Sequence, residues 1–256
     1  MNKVLFLSLA LFCCGLQMQA QTMTENEIMA KLNEASVLDN AKKTAEALDA
    51  FLLIGKNMEQ QRTEVEHQIY VYCQTKACKC YETLNRYEEA YLLAKKLIAG
   101  NLTEKEKKDV GHLYAMNGYM YATSFMHGDN RQLVKARTIL EEIMPYADGK
   151  VKEYALPKIS ESWFFEGAEY QLSQQYDKAL TCYQNALKGY QKLGKTKDEI
   201  SVLRHIAEIK GTLYDVAGSE DAYKQALVLA KQIGKTDVQM EILKELWNLG
   251  NRIGNV

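Results

Sequence analysis

The sequence predicts an all-α protein: an α-solenoid of about five helix-turn-helix repeats followed by a C-terminal capping helix. Three observations predict it. Runs rich in Ala, Leu, Lys, Glu and Gln dominate the 256 residues, and only two prolines occur, Pro145 and Pro157; these are strong helix formers with few helix breakers. The pattern Thr-x-x-Glu/Gln recurs at Thr24, Thr63, Thr103, Thr196 and Thr236. Each copy reads as a capping box, in which the threonine oxygen accepts from an early helical amide and the side chain three residues on returns the bond. Finally, residues 163–187 carry the spacing of two closely packed helices. Trp163, Gly167 and Tyr170 share one face, and after a short turn Ala179, Tyr183 and Ala186-Leu187 share another.

The capping boxes set the units. The first three starts are 39 and 40 residues apart and the last two are 40 apart. The interval of 93 residues between Thr103 and Thr196 holds two longer units, the second opening at Asp148-Gly149. The first pair is expected at 25–36 with 39–59, where Ala47, Phe51 and Ile54 keep second-helix spacing. The next is 64–84 with 87–99, carrying Cys78, Tyr81, Tyr87, Ala90, Ala94 and Leu97. The third is 104–126 with 131–144, joined by the long turn His127-Gly128-Asp129-Asn130 and ended by Pro145. The fourth is about 150–173 with 176–192, and the fifth 197–214 with 219–232. These two end alike, Leu193-Gly194-Lys195-Thr196 and Ile233-Gly234-Lys235-Thr236, a forty-residue echo. A last helix over 237–250, with Leu243, Leu246 and Trp247 as its apolar residues, is expected to cap the stack.

The stretch Trp163-Phe164-Phe165-Glu166-Gly167-Ala168-Glu169-Tyr170, with Ala179 and Tyr183 after it, resembles the tetratricopeptide repeat (TPR) family, whose signature runs Trp-x2-Leu-Gly-x2-Tyr and then Ala-x3-Phe and Pro. Here Glu166 stands for the leucine, Tyr183 for the phenylalanine, and the closing proline is missing. The units are also longer than the usual thirty-four or so residues. The resemblance implies that the inner side of the first helix of each pair lines a concave groove. By the repeat alignment the groove candidates are Tyr72, Lys79 and Glu82; His112 and Tyr119; Phe164 and Gln171; Arg204 and Glu208.

With 47% hydrophobic residues the chain can build a sizeable core, and its net charge of −1, with both signs interspersed, gives no footprint for nucleic acid or an anionic membrane. Lys3, the apolar run Val4 to Leu16 and the small Ala20 read as a signal peptide over residues 1–20, cleaved before Gln21, with a single helical repeat domain over 21–256. Phe12 is a poor neighbour for lipid attachment at Cys13 or Cys14. No later apolar stretch is long enough to span a bilayer. The protein is therefore expected to be exported and periplasmic or secreted. Four cysteines remain, Cys73, Cys78, Cys80 and Cys182. Cys78 and Cys80 point to different sides of one helix, which disfavours a bridge, and Cys78 reads as a core thiol.

Gly189-Tyr190-Gln191-Lys192-Leu193-Gly194-Lys195-Thr196 matches the phosphate-loop pattern Gly-x4-Gly-Lys-Thr. That loop needs a preceding β-strand, whereas residues 176–192 have helical spacing, so Gly194 is read as a helix C-cap and Thr196 as the next N-cap. No metal ligand set and no nucleophile elbow accompanies His67, His112, His127 or His205, and the carboxylates lie interleaved with lysines on helix faces. No catalytic residue, metal or cofactor is expected. The function expected from these features, and from the TPR resemblance, is a non-catalytic scaffold that binds a protein or peptide in its groove, aromatic residues and single charges being suited to such contacts. The alternative is an extracytoplasmic sensor module of a bacterial signalling system, motivated by the unpaired last helix.

Overall fold

A threonine with a glutamate three residues on opens three helices of the computed structural model, which describes residues 23–60, 63–128 and 130–254. At Thr24, Thr63 and Thr103 the hydroxyl accepts from the amide of Glu27, Glu66 and Glu106, and each carboxylate accepts from the threonine amide. Among the described residues there are eleven helices and no strand: α1 Glu25–Asn40, α2 Thr44–Asn57, α3 Glu64–Thr83, α4 Tyr87–Ile98, α5 Glu104–Ser124, α6 Leu133–Ile143, α7 Gly149–Leu172, α8 Tyr176–Leu193, α9 Thr196–Thr212, α10 Val216–Gln232 and α11 Thr236–Gly254. They form consecutive helix-turn-helix pairs, the α-solenoid class. None is long and apolar enough to cross a membrane. The signal peptide expected over residues 1–20 lies outside the described residues.

The chain divides into two compact units, the first ending at Leu93 and the second starting at Ala94, a boundary inside α4. In the first, α1 packs on α2 and α2 on α3, around Phe51, Ile54, Cys73 and Ala77. The first pair turns later than its spacing predicts. α1 continues to Asn40, so Asp39 belongs to the first helix, where its carboxylate meets Lys76 of α3 at 2.6 Å. In the second unit each helix from α5 to α11 packs on the next.

The forty-residue echo is a repeat of burial as well as of sequence. On α8 the buried residues are Ala179, Cys182, Tyr183, Ala186 and Tyr190; on α10 they are Ser219, Ala222, Tyr223, Ala226 and Ala230. Small residues flank one tyrosine in each, so the helices approach closely and a ring fills the space that remains. Gly167 completes this arrangement on α7. A Cβ there would lie 2.9 Å from the Tyr183 ring and 3.3 Å from Cys182 Cβ. Gly167→Leu is therefore expected to cost roughly 1–3 kcal/mol by overpacking. Unfolding at the wild-type temperature would show that α7 and α8 do not cross at this point.

Six of the turns share one geometry. A residue in the left-handed region follows the first helix: Lys42, Asn85, Gln174, Gly194, Tyr214 and Gly234, all with φ between 57° and 67°. The amide of the next residue donates to a carbonyl five residues back, as Gln175 does to Tyr170 at 2.8 Å and Lys195 to Tyr190 at 3.0 Å. This Schellman-type closure satisfies the helix end. It also corrects two of the expected capping boxes. Because Gly194 is left-handed, Lys195 becomes the N-cap and Thr196 is already the first helical residue, with no side-chain cap bond at Lys195. Glu199 is buried. At the sister turn α11 begins at Thr236 itself, and the Gln239 side-chain amide donates to the Ala230 carbonyl at 3.2 Å. Thr103→Ala is accordingly expected to cost about 1 kcal/mol. Thr196→Ala should stay within about 0.5 kcal/mol of wild type, and equal losses for the two in urea unfolding would contradict the assignment.

The last helix requires a further correction. Of the three apolar residues assigned to its cap face, Leu246 packs on the core, but Leu243 is 45% and Trp247 68% exposed. The buried set is Ile242 and Leu249, with Val238 and Leu246 beside them. Forty residues earlier, Ile200, Leu203 and Ala207 of α9 are buried within the core shared with α10. Their counterparts on α11 are Met240, Leu243 and Trp247, which stand exposed.

Candidate functional site

The first helices of the second unit meet one another through the side chains that the repeat alignment placed inward. Tyr119 of α5 lies 6.4 Å, ring to ring, from Tyr154 of α7. Phe164 of α7 meets the His205 ring of α9, and Gln171 of α7 meets His205 and Glu208. Arg204 of α9 meets Glu241 and Glu245 of α11. His112 sits at one end, exposed, with Nδ1 3.2 Å from the Asp148 carboxylate that precedes α7.

Gln171 is the hub of the central group. Its Nε2 donates to Glu208 Oε2 at 2.9 Å. Its Oε1 accepts from the Tyr183 hydroxyl at 2.7 Å and stands 3.2 Å from His205 Nδ1. The imidazole stacks on Tyr183, 5.1 Å between centroids and 20° between planes, and meets Phe164 edge-on at 5.3 Å. Phe164 also lies 5.6 Å from Tyr183. It is thus a wall of the packed cluster. Arg204 is likewise committed. Nε and one terminal nitrogen donate to the two oxygens of Glu245 at 3.2 and 2.6 Å, and the other terminal nitrogen donates to Glu241 at 3.0 Å. A bidentate fork on a carboxylate is the strong form of this contact.

Beside this network lies a cavity of about 470 Å³ lined by Arg204, His205, Glu208, Tyr223 and Glu245, among others. Burial of the ring holds the His205 pKa below the usual histidine value; the Arg204 charge adds to this and the Glu208 carboxylate opposes it. Burial also pushes the Tyr183 phenol up. The sign of the histidine shift gives a stability prediction. Below about pH 6.5 the unfolded chain takes up a proton at this residue before the folded chain does, so stability falls as pH falls through that value. The melting temperature of wild type is expected to drop between about pH 7.5 and 5.5 by more than that of His205→Gln. Parallel profiles would contradict the burial.

In the first unit the candidates are separate. Tyr72 is 45% exposed and meets the Phe51 ring of α2 edge-on at 6.2 Å, with Lys76 Nζ 6.0 Å from both rings. Lys79 is exposed and Glu82 half-buried on α3. All four cysteines of the described residues are free and buried. Burial raises the thiol pKa of Cys73 and Cys78 to about 12 and of Cys182 to about 11, so these thiols are un-ionised at neutral pH. Cys78 is the core thiol that its spacing indicates, with Sγ 3.8 Å from the Ala90 carbonyl.

The helix pairs follow one another as an α-solenoid. No protein-family model matches the chain, and no curated protein matches it. Among solved structures it is similar to a thermophilic TPR protein of Thermus thermophilus, at 15% identity over 86% of this chain and 99% of that one, with a TM-score of 0.33. It is also similar to the apo form of RapI, at 14% identity over 99% and 94% with a TM-score of 0.34. BtubC (BKLC) from P. vanneervenii is similar at 11% identity over 91% and 94%, with a TM-score of 0.28.

Three contributors were missed by the sequence reading. Tyr154 is 53% exposed beside Tyr119, but lies before the recognised motif on α7. His205 falls between Arg204 and Glu208 in the alignment, and the half-turn spacing hides that its ring is the one in contact with Tyr183. Tyr223 lines the cavity from α10, where its spacing reads as packing alone. The phosphate-loop match is accounted for by packing as well. Gly189 lies within α8 against the Ser160 side chain, and Gly194 makes the left-handed turn.

Proposed function

We propose that the protein is an exported, non-catalytic TPR-like scaffold that binds a protein or peptide along the inner face of its first helices. One observation carries this reading. In the second unit the side chains of successive first helices meet as a row of aromatic and charged groups, Tyr119–Tyr154, then Phe164, Gln171, His205 and Glu208, then Arg204 with Glu241 and Glu245. Such rows suit a partner held by stacking and charge pairing. Export rests on the apolar, Lys3-led start of the sequence.

A photo-cross-linking residue at position 119 should capture one protein from the native envelope. The same residue at exposed Lys224 on α10 should not. Loss of capture in Tyr154→Ala, with the fold intact, is the expected control; equal capture from both positions would remove the inner-face reading. Terminal sequencing that found Met1 in place would remove export. The sensor alternative draws on the exposed Met240, Leu243 and Trp247 of α11. It moves ahead if Trp247→Ala keeps its melting temperature and loses the captured protein.

A further inference from the structure

The cavity lined by α9, α10 and α11 presents acceptors, and the hydrogen-bond pattern beside it determines which group can fill it. Glu208 can only accept, so the atom of Gln171 that faces it is the amide nitrogen. The other end of that side chain is therefore an acceptor, and it takes the Tyr183 hydroxyl and the His205 Nδ1 together. The imidazole thus carries its proton on Nδ1, and Nε2 keeps a lone pair that has no partner among the described residues. The one cation of the wall, Arg204, has its three nitrogens on Glu245 and Glu241. One positive charge stands against the carboxylates of Glu208, Glu241 and Glu245, and the surplus is negative. Glu208 remains 61% exposed at the rim. Tyr223 adds an aromatic edge to the lining.

We propose that this cavity takes an alkylammonium or guanidinium group, the side chain of a lysine or arginine in an extended partner segment. The inference rests on the inner-face reading above and names the chemistry of the partner there. The cation donates to Glu208, to His205 Nε2 and to the free positions of Glu245, while its methylene stem lies along the rings of His205 and Tyr223. Walls from α9, α10 and α11 flank the cavity, so the charge pairing is screened less than on an open helix face. An anionic group would face the Glu208 and Glu245 carboxylates, with the neutral Ser201 and Asn248 side chains as the donors left to it. An apolar group would leave His205 Nε2 and the second oxygen of the Glu208 carboxylate without a partner while displacing the water that solvates them.

Selection of a random twelve-residue peptide library on the chain tests this. The expected peptides share a lysine or arginine at one position. Replacing that residue with alanine, or making Glu208→Gln, should each weaken binding at least about tenfold, and the two together should weaken it no further. Glu220→Gln, on α10 and paired with Lys224, should bind as wild type does. Thermal melts of each variant establish that the fold is kept. Peptides that are lost on Asn248→Trp, which blocks the cavity without changing charge, but are acidic or indifferent to Glu208→Gln would overturn the cationic assignment and leave the inner-face reading standing. Peptides indifferent to Glu208→Gln, to Asn248→Trp and to the Tyr119→Ala, Tyr154→Ala double variant would overturn both. Spermidine binding more tightly than any selected peptide, with the same dependence on Glu208, would overturn the partner segment in favour of a free amine.

Discussion

Arg137→Ala is expected to lower stability by about 3–5 kcal/mol, the cost of leaving a buried charge without its partner. Arg137 is 6% exposed on α6. Its guanidinium donates to Glu166 Oε2 at 2.8 Å and to Ser162 Oγ at 3.3 Å, both on α7. The Ser162 hydroxyl is free to accept because it donates to the Ile159 carbonyl at 2.7 Å. The guanidinium carbon lies 3.3 Å from the centre of the Trp163 ring, a cation–π contact out of water. Removing Arg137 strands Glu166, whose side chain is 14% exposed. Glu166→Leu alone should cost a similar amount by stranding the cation. The double variant Arg137→Met, Glu166→Leu replaces both charges with apolar groups of similar size and is expected near wild type. Urea unfolding of wild type, Arg137→Met, Glu166→Leu and the double variant gives the cycle. A wild-type midpoint for Arg137→Ala, or additive losses in the double variant, would show that the pair is not what joins α6 to α7.

Ile242→Ala is expected to cost about 2–5 kcal/mol, the range for truncating a fully buried aliphatic side chain. Ile242 is 0% exposed and lies in the core of the second unit with Leu249. Trp247→Ala, one face away on the same helix, should change stability by no more than about 0.5 kcal/mol, since the indole is 68% exposed. The comparison is sharp because tryptophan is the larger residue and would be expected to cost more if burial were judged by size. A greater loss for Trp247→Ala than for Ile242→Ala would mean that α11 is rotated from the orientation described.

Why α11 could be misjudged from sequence is a matter of symmetry. It carries apolar residues on two stripes, Val238, Ile242, Leu246 and Leu249 on one and Met240, Leu243 and Trp247 on the other, and spacing alone does not say which is covered. By contrast the pairs α7–α8 and α9–α10 were legible, because small residues and one tyrosine recur at a fixed register with polar residues opposite. The capping boxes at Thr24, Thr63 and Thr103 were legible for a similar reason: nothing competes for the threonine. At Thr196 a left-handed glycine two residues earlier takes control of where the helix starts. The left-handed Lys42, Asn85, Gln174 and Tyr214 left no glycine to read. Of the site, the inward positions Tyr119, Gln171, Arg204 and Glu208 follow from the repeat alignment. What they touch does not, since the partners Tyr154, His205, Glu241 and Glu245 come from the neighbouring first helix, about forty residues distant in most cases. The substitution of Glu166 for the family's leucine has its explanation in Arg137, a residue of the preceding pair that no local pattern marks.

The two tryptophans also make the protein its own optical reporter. Trp163 lies under the Arg137 guanidinium, while Trp247 stands in water on α11. An indole in water emits to the red and is reached by iodide; one held beneath a packed cation is shielded. Iodide should therefore remove the red part of the emission first and leave a bluer remainder from the α6–α7 seam. A macromolecule settling on the Met240, Leu243 and Trp247 stripe of α11 would protect the quenchable fraction and shift it to the blue, whereas one seated in the cavity beside Arg204 and Glu208 would leave both components in place. Steady-state fluorescence of the unlabelled chain can thus tell the two docking modes apart before any partner is identified.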